Sequence, residues 1–173
     1  MLLAIGENPY RPGLVETPYR WAKMWREFIE HDPGMTDKTF VTESSGQVTV
    51  AGMRVWSMCE HHMLPFWCDV SISYVPKDGV VLGLSKFARI AEKHAHRLQI
   101  QERLVEEIAE EVKAVTGSED VAVIAIGQHL CMVMRGVEVD GRMVSTSMHG
   151  VYHEGANPRE EFLRAVTGLG GGK

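Results

Sequence analysis

Cysteine is scarce in this chain, and so are long apolar runs and any excess of positive charge. Three cysteines in 173 residues, an odd number, argue against a disulfide framework and for a reducing compartment, so the expected location is the cytoplasm. No stretch approaches the ~18 consecutive apolar residues of a membrane span. Met1-Leu2-Leu3-Ala4-Ile5 is too short for a signal peptide and lacks its basic start. Lysine and arginine number 18 against 23 acidic residues, a formal net charge of −5. Such a chain is not built to coat nucleic acid or an anionic membrane, so an anionic ligand must be held by a local basic cluster. There is no internal repeat and no linker-like composition. Residues 1–166 are read as a single domain with a sizeable core, and 167–173, rich in glycine, as a disordered tail.

What is present concentrates in Ser57-Met58-Cys59-Glu60-His61-His62-Met63-Leu64-Pro65-Phe66. Cys59 and His62 have the spacing that lets one tight turn present a thiolate and an imidazole to the same metal ion. A distant partner stands at His129-Leu130-Cys131. If that segment is a strand, His129 and Cys131 face the same space. Taken singly, these are more often a buried cysteine or a core histidine; the paired spacings reverse that judgement. Cys59, His62 and Cys131 would leave a fourth tetrahedral position open for water, which separates a catalytic zinc from a structural one.

Periodicity supplies the frame. Thr17-Pro18 opens an amphipathic helix over 18–30, with Thr17 as its cap. Strands are predicted over 39–42, 48–56, 67–75 and 80–84. Ser85 caps a helix over 85–97 that carries a basic stripe of Lys86, Arg89, Lys93 and Arg97. A further helical stretch, 98–116, ends at Gly117; the pattern fits either one kinked helix over 85–116 or two helices. Strands follow at 121–126 and 130–139, with a hairpin turn at Asp140-Gly141 and a return strand at 142–148. Asn157-Pro158 caps a last helix over 159–166. The order is α+β, with helices packed on an antiparallel sheet.

Several ordered segments together resemble type I GTP cyclohydrolase: Cys59-Glu60-His61-His62; Gly83-Leu84-Ser85-Lys86 with Arg89; Gln99-Ile100-Gln101-Glu102-Arg103-Leu104; and His129-Leu130-Cys131-Met132-Val133-Met134-Arg135-Gly136. Thr17-Pro18-Tyr19-Arg20-Trp21-Ala22-Lys23 and Arg159-Glu160-Glu161-Phe162-Leu163 match as well, so the likeness covers roughly residues 6–166. It implies the tunnelling fold: antiparallel β-hairpins with two helices packed on one face, the barrel being completed only by oligomerisation. It also implies a homodecamer of two pentamers, with sites at subunit boundaries. The implied reaction takes GTP and water to 7,8-dihydroneopterin triphosphate and formate, by a zinc-activated water attacking guanine C8.

Residue by residue, the resemblance makes Cys59, His62 and Cys131 the zinc ligands. It makes His61 the acid that protonates N7, and His129 a second acid–base group near the ribose; histidine suits both because it titrates near neutral pH. Glu102 would accept from guanine N1–H and the 2-amino group, with Gln101 beside it in the substrate site. On local sequence alone Glu102 reads better as a capping charge in a helix's first turn. Lys86, Arg89 and Arg135 would hold the triphosphate, Ser85 would supply a site hydroxyl and, as a cap, set a helix N-terminus near the phosphates, and Arg20 and Lys23 would reach the triphosphate of a neighbouring subunit. Lys93 and Arg97 are read as a solvated face, Cys68 as a small buried hydrophobe, and Glu60 as a carboxylate orienting a ligand. His149 stands where an aliphatic residue or arginine is expected. Two rival readings are a purine- or pterin-binding protein of the same fold with structural zinc, and a nitrile reductase of that fold. The first would not need His61, His129 or an open metal position; the second needs a nucleophilic cysteine and NADPH rather than zinc.

Overall fold

Alternating apolar residues from Val48 onward dictate most of the architecture. The structure, a computed structural model, describes residues 1–43, 45–153 and 157–168. In chain order the helices and strands are α1 (Thr17–Ile29), β1 (Thr39–Val41), β2 (Val48–Cys59), β3 (Pro65–Tyr74), β4 (Val80–Leu82), α2 (Leu84–Ala95), β5 (Leu98–Gln99), α3 (Gln101–Thr116), β6 (Val121–His129), α4 (Leu130–Val133), β7 (Met143–Met148) and α5 (Asn157–Gly168). The chain divides into two compact units, Met1–His31 and Asp32–Lys173.

In the first unit, α1 begins at Thr17, with Glu16 in the cap position and Pro18 inside the first turn. Trp21, Trp25 and Phe28 form an edge-to-face ladder, with ring centroids 6.0 and 6.4 Å apart. Lys23 pairs with Glu27 at 3.5 Å, and Arg20 with Glu16. Both are exposed i,i+4 pairs, worth a few tenths of a kcal/mol each, on the order of 0.3–0.5.

The second unit is built on a five-stranded sheet of order β5-β2-β3-β6-β7; β1 and β4 form a separate antiparallel pair. The β2–β3, β3–β6 and β6–β7 pairings are antiparallel, and β5 lies parallel to β2. Gly52, at φ 75°, marks the register shift in β2, and its N–H donates to Ser71 Oγ at 3.1 Å; glycine enters this left-handed region without a Cβ clash. The register puts Phe66, Cys68, Val70, Ile72 and Tyr74 opposite His129, Gly127, Ala125, Val123 and Val121. This face meets α2 and α3 through Phe87, Ile90, Leu104, Ile108 and Val112, all buried. Each such large apolar side chain contributes about 1.5–3 kcal/mol by leaving water. On the opposite face Ala122 and Ile124 pack with Tyr152 and with Phe162 of α5.

Several expectations are corrected. Residues 130–139 are not a strand. The β6–β7 ladder ends at Gly127↔Met143 and the β3–β6 ladder at Phe66↔His129. With no partner beyond, the chain coils into α4, and the connection to β7 is a longer loop in which Val137 and Val139 are exposed. Ser85 does not cap α2: Gly83 holds the cap position, because the Lys86 N–H already bonds its carbonyl at 2.8 Å. α5 runs on to Gly168, with the Thr167 hydroxyl donating to the Leu163 carbonyl; the rest of the expected tail, 169–173, lies outside the described residues. Gly117 does close α3, at φ 69°. Among the described residues no helix is long and apolar enough to cross a membrane.

Candidate active site

β2 ends at Cys59 and β3 begins at Pro65, so the metal-type residues form the turn of this hairpin. Cys59 N–H donates to the Leu64 carbonyl at 2.9 Å, and Met63 N–H to the Cys59 carbonyl at 2.8 Å. Met63 takes φ 54°, a left-handed conformation uncommon outside glycine, held here by the flanking ladder. Glu60 N–H bonds the Gln99 carbonyl at 3.1 Å, and the Glu60 carboxylate pairs with Arg103 of α3. That guanidinium holds the Glu60 carboxyl below the usual carboxylate range. Glu60 therefore anchors the turn to α3.

α4 brings Cys131 to this turn. One potential donor atom from each of Cys59, His62 and Cys131 lies within 4.8 Å of the others. A tetrahedral zinc with sulfur and nitrogen ligands needs donor–donor separations of about 3.4–3.8 Å, so small side-chain movements suffice and the donor set fits. Arg135 donates to His62 Nε2 at 2.6 Å, and burial first, then the Cys59 thiol, pushes the Cys131 thiol up. His61 is exposed, with Nδ1 3.9 Å from Cys59 Sγ.

His129 closes the other side. Its ring stacks on Phe66, 4.4 Å between centroids and 6° between planes. Burial lowers its pKa, while nearby Glu102 opposes that shift; the imidazole is thus biased towards the neutral form. Glu102 is exposed in the first turn of α3. Gln101 points the other way and is fully buried, bonded to His129, Ala125 and Met143.

The other predicted site residues of the second unit lie along α2. Ser57 Oγ bonds the Ala95 carbonyl at 2.6 Å, which fixes the C-terminal end of α2 beside the metal turn. Ser85, Lys86 and Arg89 sit in its N-terminal half. Lys86 and Ala95 are separated by about 13 Å of helix axis. Lys86 Nζ and Arg89 Nη1 both donate to the Met35 carbonyl, at 2.8 and 3.3 Å. Arg20 and Lys23 belong to the first unit. Lys93 and Arg97 pair with Glu111 and Glu107 of α3 at 2.7 and 3.2 Å, which accounts for them structurally. His149 Nε2 shares the Ser147 hydroxyl, at 2.8 Å, with Glu106.

Sequence reasoning missed Phe66 and Gly127, which with Cys68, the small buried residue it expected, surround Gln101 and His129. Cys68 is buried, its thiol pushed up to about 12 by that burial, and it donates to Gln101 Oε1 at 3.4 Å. The alternation Phe66/Cys68 and Gly127/His129 on paired strands was the available signal.

An α+β scaffold that brings two cysteines and a histidine together at the end of its sheet, with two further histidines and a carboxylate around them, defines a protein with a candidate catalytic metal centre. The profile of the GTP cyclohydrolase I family matches residues 1–167. GTP cyclohydrolase 1 of Hyperthermus butylicus is 44% identical over 166 residues, covering 96% of this chain and 86% of that protein. Those of Pseudomonas syringae pv. tomato and Deinococcus radiodurans are each 42% identical, over 96% of this chain and 91% and 80% of theirs. The chain belongs to the GTP cyclohydrolase I family and is an enzyme acting on GTP.

Proposed function

We propose that this enzyme converts GTP and water to 7,8-dihydroneopterin triphosphate and formate, with zinc held by Cys59, His62 and Cys131. The observation that carries this reading is the convergence of those three donors to within 4.8 Å, beside His61, His129 and Glu102, from segments far apart in the chain. Zinc, when bound, supplies the Lewis acidity that makes water a nucleophile at neutral pH.

Glu102 accepts from guanine N1–H and the 2-amino group, a donor pair adenine lacks. His61 gives a proton to N7, which makes C8 electrophilic enough for water to add and the imidazole ring to open. A second water releases formate. His129 moves protons at the ribose while the sugar opens and rearranges to a ketone. The freed amine condenses with that ketone and expels one water. Two waters enter and one leaves, which balances the net reaction.

Lys86, Arg89, Arg135, Arg20 and Lys23 are assigned to the triphosphate, and Ser85 supplies a hydroxyl to the site. Lys86 and Arg89 sit towards the far end of α2 from Ser57 and the candidate metal turn; the proposal includes a site completed by a second copy of the chain, in a decamer of two pentamers. A cytoplasmic setting suits three free cysteines.

The deciding experiment follows formate and the reduced pterin from GTP, with zinc-loaded and chelator-treated protein side by side. Both products appear, vanish with the metal and return with added zinc. Tight GTP binding with neither product would overturn the reading.

A further inference from the structure

The Gln101 amide has no freedom of orientation. Its Nε2 donates to the carbonyls of Ala125, at 2.9 Å, and Met143, at 3.1 Å. Turning the amide over would press its oxygen against two oxygens that carry no hydrogen. Oε1 therefore faces His129 Nε2 at 2.9 Å and Cys68 Sγ at 3.4 Å. A carbonyl oxygen can only accept, so the hydrogen between Gln101 and His129 resides on Nε2.

Packing reinforces this arrangement. Gln101 and Cys68 are fully buried. A Cβ on Gly127 would lie 2.4 Å from Gln101 Oε1, 2.7 Å from Cys68 Sγ and 2.8 Å from the Trp67 carbonyl, so only glycine leaves room for the amide. One face of the His129 ring is covered by Phe66.

We infer that Gln101 is a positioning residue: it holds His129 in the Nε2–H tautomer and so makes Nδ1 its working nitrogen. A proton taken from the substrate is received at Nδ1 and given back from Nδ1, while the Nε2 proton stays committed to Gln101. Gln101 and Glu102 are adjacent at the start of α3, so one helix end would place both the base-reading carboxylate and the orientation of the acid–base histidine. The catalytic consequence rests on the role proposed above for His129; the tautomer does not.

The test is nitrogen-15 NMR of histidine side chains in the zinc-loaded enzyme, at a pH that keeps the imidazoles neutral, with His129 assigned by comparison with His129→Gln. In the expected spectrum the downfield, unprotonated nitrogen of His129 is Nδ1, coupling strongly to Hε1 alone, while the protonated Nε2 couples to both ring protons. A downfield Nε2 in the wild-type enzyme would overturn the inference. Gln101→Met, which keeps volume without the acceptor, should mix the two tautomers and lower kcat about 10–100-fold, the usual cost of losing an outer partner. KM for GTP and zinc content should stay near wild type. A folded, zinc-loaded Gln101→Met enzyme with unchanged kcat would also overturn it. Should that variant fail to fold, the wild-type spectrum decides. If the wild-type enzyme makes neither formate nor pterin, the proposed reaction fails while the tautomer can still be read.

Discussion

The two ends of α2 differ in how much of a site the chain completes by itself. At the C-terminal end the metal turn is tied down from several sides: Ser57 to the Ala95 carbonyl, Glu60 to Arg103, and Gln101 between two strands and His129. At the N-terminal end Lys86 and Arg89 converge on a single main-chain oxygen, that of Met35. The first end has the preorganisation that proton transfer and metal binding require, because its geometry is fixed before substrate arrives. The second offers charge, which attracts a triphosphate over a distance without needing exact placement. On the proposed roles, the exacting half of the chemistry is built within one chain, and the phosphate grip is the half that copies of the chain would share.

The comparison breaks most visibly at the metal. Cys131→Ala should lose zinc and turnover together, to background and well past the ~10–100-fold cost of losing an outer partner; metal content and formate release, measured on one sample, check this. Full activity with zinc retained would remove Cys131 from the ligand set. His129→Ala should keep zinc and GTP binding but lose about 10²–10⁴-fold in pterin formation, the range for a positioned acid–base group. A pterin yield equal to wild type would place the ribose chemistry elsewhere.

At the other end of α2, Lys86→Ala and Arg89→Ala should each raise KM for GTP by roughly 10–100-fold, as expected for a charge-assisted bond of about 1.5–3 kcal/mol, with zinc unchanged. Co-expressing Cys131→Ala with Lys86→Ala sharpens the contrast. If the two halves of one site come from different copies, random assembly leaves about a quarter of the boundaries intact, and assays at low GTP recover that share. If both halves come from one chain, every site carries a lesion and nothing is recovered.

The smallest effect is expected at Glu60. Arg103 depresses its carboxyl, so the stabilisation is present above the ordinary carboxylate pKa and is lost as pH falls through the lowered one. Glu60→Gln should therefore lower the melting temperature slightly near neutral pH and converge with wild type in acid. Thermal melts across pH measure this, and parallel curves would dissociate Glu60 from the acid limb.

Local pattern carried much of this protein. Alternation in β3 and β6, the turn residues, and the Cys59–His62 spacing are set by neighbours a few positions away, which is the range a sequence displays directly. The α+β order and the candidate metal donors, Cys59, His62 and Cys131, were legible for that reason. The 130–139 segment was not: its β-branched residues favour a strand, but a strand needs a partner, and the ladders on both sides of β6 end before it. The α4 turn that results is what carries Cys131 to Cys59 and His62 at the candidate metal site. Gln101 and Glu102 are neighbours with opposite fates, one buried between strands and one exposed beside His129. Helical spacing sends adjacent residues to different sides, but only the packing of α3 against β6 and β7 decides which side is the core. The sequence by itself determined which groups are available. Tertiary structure decided which of them meet, because strand register and helix packing join positions far apart in the chain.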